Sequence, residues 1–447
     1  MLNSLPSKQP LAALALACFL CCPFSTLRAQ QQSALPSFSS NPASIDRIRA
    51  RSEQAEREAL SNEIKQFTDP LPGIELHAGY IAEFLANVSG GPKKGSAYDG
   101  LAKFSIKIDP GQLFHQADWT GTTLFANLLY PHGRGLTQHY LQDFNGVSNI
   151  DAYDSFRLDE FWLQQAFGSR FSIRAGLLAV DTEFFACDSG SLFFNSCFGA
   201  IPIISLNYDS PVYPLTSPGV RVEYDVSDTL TLRAAALSGD IGGQDTNNRH
   251  GGRISFHSET GGLYLAEAVV HTGGKLPGVY TLGGFYHSGQ FDDVSGNGSR
   301  HRNDGGVYLV IDKALFRESQ PVSDKKAVSG PEQGLNIFSR FGYAFPDDRN
   351  IVSYYVEAGL TYHGLIKNRD SDTCGIAFSY TRLSDSLTDE DGAKVSSHHE
   401  TVVEGSYQFV VNDWVSVQPD IQYIFNPGAT GNTRDAWVIG ARVNFNF

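Results

Sequence analysis

Three short stretches concentrate side chains suited to hydrogen bonding and stacking. Read as an extended strand, "RLDEFWLQ" (157–164) puts Glu160, Trp162 and Gln164 on one face and Phe161 and Leu163 on the other. "SIRAG" (172–176) sets Arg174 opposite Ile173, and "RVEY" (221–224) adds Arg221 and Glu223 on a shared face. Arginine supplies donors, carboxylates supply acceptors, and indole offers a flat apolar surface with one N–H. That set serves non-covalent recognition. Two stretches rich in Gly, Asn, Asp and Ser, 131–155 and 181–217, are long enough to fold over such a surface, bringing Asp143, Asn145, Asn149, Asp181 and Glu183 within reach. Arg157 shares the parity of Asp159, so it joins Glu160 only if a bulge shifts the register. The plain alternative for each charged residue is a lumen charge paired only with its neighbours.

Signatures of catalysis are weak. No G-x-S-x-G stretch is present to form a nucleophile elbow. "HHE" (398–400) sends adjacent side chains to opposite faces of a strand, and "DEDG" (389–392) lacks the spaced oxygens of a calcium loop. No catalytic residue, metal ligand or cofactor is therefore assigned. Cys187 and Cys197, close together in one loop, are expected to form a disulfide in an oxidising compartment, leaving Cys374 odd.

The elements that carry these residues alternate with period two. The chain ends "AWVIGARVNFNF" (436–447), with Trp437, Ile439, Ala441, Val443, Phe445 and Phe447 on one face. "GVRVEYDV" (219–226) and "VSVQPDIQYIF" (415–425) behave alike, their polar faces carrying Arg, Glu, Asp and Gln. From Gly73 onward, runs of about ten residues follow one another, the length a tilted membrane strand requires. Seventeen such runs are visible, one more than an even-numbered barrel allows. The suspect lies in 251–271, where "SETGG" need not be a true reversal. Tight turns at 168–170, 227–229 and 412–413 contrast with long connections at 131–155, 181–217, 288–304 and 382–397. Aromatic residues near strand ends, such as Trp414, Tyr423 and Trp437, fit interfacial girdles.

The N-terminus places the chain outside the cytoplasm. "LAALALACFLCC" (11–22) follows Lys8 as an apolar run too short to span a membrane, the layout of a secretory signal peptide over 1–29. Residues 30–72 read as a polar linker and one helix (41–67), started by Asn41 and Pro42 and serving as a spacer or a self-association element. Formal net charge is −14, and −16 once Lys8 and Arg28 leave, which disfavours nucleic acid as a partner. Pattern alone thus leads to an exported, all-β chain. A membrane barrel, a secreted soluble β-sandwich that binds carbohydrate, and an outer-membrane barrel enzyme all stay open.

Several segments resemble the carbohydrate-selective porin (OprB) family. They include 144–167, 174–199, 210–224, 276–293, 335–350 and 400–429, in order along roughly 73–447. The resemblance implies an antiparallel transmembrane β-barrel of sixteen strands over 73–447, in the outer membrane of a Gram-negative bacterium. It implies passive diffusion of small neutral sugars such as glucose, with no enzymatic step. Sugars carry dense hydroxyls and an apolar C–H face, so the Arg, Glu and Trp set above becomes the expected constriction. The Phe-ending strand is similar to the one read by outer-membrane assembly machinery. Lipid, that machinery and a second copy of the chain complete the expected partners.

Overall fold

The computed structural model describes residues 72–241, 248–254, 256–318, 333–388 and 397–447. The expected signal peptide, the 41–67 helix and "DEDG" lie outside the described residues.

An antiparallel ladder runs through the whole described chain. It begins with β1 (Ile74–Ser89), β2 (Gly95–Ile108), β3 (Thr122–Gly133), β4 (Arg157–Phe167) and β5 (Phe171–Leu178). It continues with β6 (Ser217–Ser227), β7 (Leu230–Ser238), β8 (Gly262–Thr272), β9 (Gly278–Asp292), β10 (Arg300–Arg317) and β11 (Gly334–Ala344). The last five are β12 (Val352–His363), β13 (Thr373–Leu383), β14 (His399–Asn412), β15 (Val415–Phe425) and β16 (Ala436–Asn446). Each strand pairs with its neighbours in sequence, and β16 pairs with β1, so the sheet is a closed sixteen-stranded barrel. Tyr80 faces Phe445 and Glu83 faces Arg442 across that seam. Phe447 adds two backbone bonds to Ala78, at 2.7 and 3.1 Å. Closure leaves no strand edge unpaired, the condition for a sheet in lipid.

The seventeenth run was the spurious one. Among the described residues of that run, 252–254 and 256–258, none lies in a strand, and the strand after them is β8. The 288–304 stretch, expected as a long connection, is mostly strand. β9 and β10 extend through most of it and leave 293–299, because tall strands there pair up to Arg300 and Asp292.

Alternation sorts the side chains. In β7, Leu232 and Ala236 are exposed on the outside, while Thr231, Arg233, Ala235 and Leu237 are buried within. Outward aromatics gather in clusters, among them Tyr423, Phe425 and Trp437, with Tyr423 and Trp437 ring centroids 4.5 Å apart. His399 stacks on Tyr380 while Glu400 is buried, as opposite parity demands. One exception to simple alternation matters: Ala126 pairs with Phe161 but Leu128 with Leu158, a bulge in β4. Through it Arg157 and Asp159 share the interior with Glu160 and Trp162.

The lumen is not an empty tube. The 179–216 loop turns into it, and Phe185, Phe193, Phe194, Phe198, Ile203 and Ile204 pack with wall residues such as Leu263, Tyr308, Phe338, Tyr355, Val402 and Ile424. Glycine makes room for this second core. A Cβ on Gly283 would sit 2.2 Å from the Tyr308 ring, and one on Gly359 2.3 Å from Phe338. The filling is chiefly against β8–β16. On β2–β7 the inward side chains Lys103, Phe125, Gln164, Arg174 and Glu223 stay partly exposed. The inward side chains left partly exposed therefore collect on one side of the lumen.

Candidate functional site

Neighbouring strands in register bring distant residues side by side at one height of the wall. Gln164 on β4 faces Arg174 on β5, which faces Arg221 on β6. One step along, Glu223 on β6 faces Arg233 on β7, which faces Glu267 on β8. Two arginines directly opposite each other repel, so this row needs acceptors between them. Glu183 of the inward loop is the main one. Arg221 donates to both its oxygens at 2.7 and 2.9 Å, and Arg174 approaches to 3.2 Å. Gln164 Oε1 accepts from Arg174 at 2.9 Å and from Arg221 at 2.9 Å. Arg233 donates to Glu223 at 2.9 Å, pairs with Glu267 at 3.3 Å and donates to the Glu183 carbonyl at 2.5 Å.

Burial alone would raise the Glu183 carboxyl, but Arg174, Arg221 and Arg233 outweigh it and hold the group below the usual carboxylate range. Glu183 is therefore anionic at any physiological pH. The result is a balanced strip: fixed donors and acceptors, with most charge neutralised in place.

Trp162 sits beside this strip with both faces taken. Its ring stacks on Phe125 with centroids 4.9 Å apart, and the Arg174 guanidinium lies 3.8 Å from its centroid. With 8% of it exposed, Trp162 presents no open face to a ligand. It steadies Arg174. Phe125, half-buried and inward, is the aromatic surface that parity in "TTLFANLLY" should have singled out. Arg233 and Glu267 were equally legible by parity within "LTLRAAAL" and "LYLAEAVVH". What was missing was the register that aligns them.

Other expected lining residues belong to a scaffold. Glu160 lies 3.5 Å from both the Ala179 N–H and the Thr182 hydroxyl, at the mouth of the loop. Asp143, Asn145, Asn149 and Asp181 are buried, so the expectation that they line the passage is corrected. Asn145 Nδ2 donates to Glu400 at 2.9 Å, and Asn149 Oδ1 accepts from Arg442 at 2.7 Å. Asp181 accepts the Tyr213 N–H at 3.3 Å. Folding the loops inward was anticipated; which side chains face the opening depends on how the loops turn once inside.

The expected Cys187–Cys197 disulfide is absent, and both are buried free thiols. Cys187 Sγ turns to Asp312 on β10 at 3.7 Å, while the Cys197 carbonyl is held by Arg340 on β11 at 3.1 Å. Two wall contacts on different strands separate what nearness in sequence suggested. Burial pushes both thiol pKa values up, which keeps them protonated and unreactive.

Against known proteins, residues 93–447 match the model of a family described as "Carbohydrate-selective porin, OprB family". Porin B of Pseudomonas aeruginosa is 22% identical over 411 residues, covering 83% of this chain and 87% of that protein. The putative porin QuiX of Acinetobacter baylyi is 20% identical over 407 residues, covering 84% and 89%. In structure, OprB of Pseudomonas putida at high pH superposes with a TM-score of 0.72 at 21% identity, covering 88% of this chain and 97% of that one.

Proposed function

The chain belongs to the carbohydrate-selective porin family, OprB, and on that premise we propose that its sugars are sorted at the Arg174–Arg221–Glu183 strip. It is a sugar porin of the Gram-negative outer membrane. The finer reading concerns how. A neutral sugar does not respond to net field, so selectivity comes from local donors and acceptors. Arg174 donates to ring hydroxyls, and Glu183, Glu223 and Gln164 accept from them, while the buried Arg221 holds Glu183 and Gln164 in place. Because each charge already has a partner, sugar binding trades one hydrogen bond for another. Individual grips are weak and exchange is fast, as passage requires. Phe125 offers the apolar face for the C–H side of the ring.

The observation that carries this reading is the row of arginines on β5–β7, bridged by one loop carboxylate, in which Arg174 and Glu183 stay partly open while Arg221 and Arg233 are buried. No bond-making step is needed, and we read the protein as a channel without catalysis. Hexoses such as glucose fit the strip, and the Phe447 strand suits recognition by the assembly machinery.

Planar-bilayer recordings test the site. Glucose and maltose should reduce ion current through the wild type. Phe125→Ala should weaken that block several-fold, since a stacking contact of this kind is worth about 1 kcal/mol. Unchanged block in this variant would remove Phe125 from the site. Unchanged liposome swelling across a panel of sugars, relative to liposomes lacking the protein, would remove the sugar reading itself.

A further inference from the structure

The two loops that narrow the lumen carry the same dipeptide. "FN" occurs at 144–145 in the first and at 194–195 in the second. Both pairs end on one strand. Glu400 of β14 accepts the N–H of Phe144 at 2.6 Å and of Asn145 at 2.8 Å. Four residues on, Glu404 accepts the N–H groups of Phe194 and Asn195, the latter at 2.9 Å. Even spacing keeps the two carboxylates on the inner face, about 13 Å apart along an extended strand. Glu400 also takes the Gly428 N–H at 2.7 Å, from the loop before β16.

The Asn side chains complete each seat. Asn145 accepts from Thr381 at 2.9 Å, and Asn195 donates to Gln422 at 3.0 Å. The loops are also tied to each other. Asn149 N–H donates to the Phe194 carbonyl at 2.8 Å, and Ser196 N–H to the Gly146 carbonyl at 3.0 Å.

We propose that Glu400 and Glu404 are paired positioning residues, a double latch on β14 that seats both loops as one body and thereby sets the width of the passage. A carboxyl group suits the task because both its oxygens can accept, one N–H each from two successive residues, whereas a glutamine offers one acceptor and brings donors that oppose the second. The wall is built by other bonds: β14 pairs with β13 and β15 through its backbone ladders, and Glu404 adds a side-chain bond to Asp420 on β15. Loop position does depend on the two glutamates. The 179–216 loop delivers Glu183 to Arg174 and Arg221, so a shift at Phe194 and Asn195 propagates to the strip. This inference rests on reading that strip as the narrow, sugar-sorting part of the passage.

The test uses the full-length channel in planar bilayers, with Glu400→Gln, Glu404→Gln and the double variant. Each hydrogen bond lost favours an unseated loop, so closures and open-level noise should rise several-fold per latch. Because the loops are tied together, the double variant should exceed the product of the singles. Barrel integrity is read from gel mobility with and without boiling, which should stay as in the wild type. A quiet, wild-type current from the double variant overturns the proposal. If that variant does not assemble, Asn195→Pro answers instead. Asn195 has φ −62°, which proline adopts, so the substitution deletes the N–H that reaches Glu404 while leaving the wall untouched. Asn195→Ala removes the side chain but keeps that N–H. Proline noisier than alanine supports the latch; equal noise overturns it. Sugar block of the fully open level reports separately on the Arg174–Arg221–Glu183 reading. That block should weaken in Arg221→Ala whether or not the latch exists.

Discussion

At Arg221 three neighbours converge: Glu183, Gln164 and, at 2.7 Å, the Ser172 hydroxyl. Removing the guanidinium leaves Glu183 leaning on Arg174 and the Arg233 backbone bond. Arg221→Ala should weaken sugar block by roughly five- to thirtyfold, about 1–2 kcal/mol, because Glu183 and Gln164 lose the group that holds them in place. It should also shift reversal potentials in a salt gradient toward cation preference, because a lumen cation is gone and an anion is exposed. Asp143 gives a pH prediction. Burial in the inward loop pushes its carboxyl up to about 6 from an ordinary 3.8. The folded state thus holds this proton more tightly than the unfolded chain does. Its stabilising contribution is complete below pH 3.8 and is lost as pH rises through about 6. Asp143→Asn should remove that dependence and make the protein more stable than wild type at pH 7–8, by about 1–3 kcal/mol. Thermal melts in detergent between pH 4 and 8 check it; parallel curves for the two proteins would refute it.

Among the elements, the 179–216 loop is the most consequential. It enters the barrel as a small hydrophobic core and presents Glu183 at its leading edge. Its thiols show how firmly it is seated. With no disulfide, thiol labelling of unreduced protein should modify Cys187, Cys197 and Cys374 once the chain is unfolded, and neither loop cysteine while it is folded. A single labelled thiol after unfolding would restore the disulfide. The facing wall is equally constrained. Gly359 on β12 lies against the Phe338 ring, so Gly359→Val forces the ring or the loop behind it to move. Overpacking of this kind costs about 1–3 kcal/mol. The variant should lose its heat-modifiable gel shift at a lower temperature than wild type, and an unaltered transition would argue against the packed half-lumen.

At the scale of the whole molecule, two different materials fill one barrel. Apolar packing occupies the β8–β16 side and gives the loops a solid backing. Paired charges and one partly open aromatic line the β2–β7 side, the side on which we propose the solute moves. An acidic total of −14 says little about that lining, because the strip is locally balanced. We expect only mild cation preference in the wild type, smaller than the net charge suggests. A strongly cation-selective reversal potential would show that charges outside the strip dominate the field.

The amino-acid sequence by itself determined an exported chain of amphipathic strands, and its family resemblance pointed to the barrel. Period-two alternation, strand length, turn spacing and a Phe-ending strand are local signals, and closure of a sheet in lipid follows from unsatisfied backbone groups rather than from any particular contact. Parity also placed Gln164, Arg174, Arg221 and Glu223 on inner faces, and flagged that Arg157 required a bulge. The sequence could not supply alignment across strands or the path of a loop inside the lumen. Whether Arg174 meets Arg221 depends on the register between β5 and β6. Whether Asn145 faces solute or Glu400 depends on a loop seated by residues 255 positions away. Trp162 lost its open face because two neighbours from other strands cover it, and Cys187 and Cys197 stayed apart because Asp312 and Arg340 hold them to separate strands. Strand patterning is a short-range consequence of backbone geometry; the constriction is a product of long-range pairing, and only the folded chain decides it.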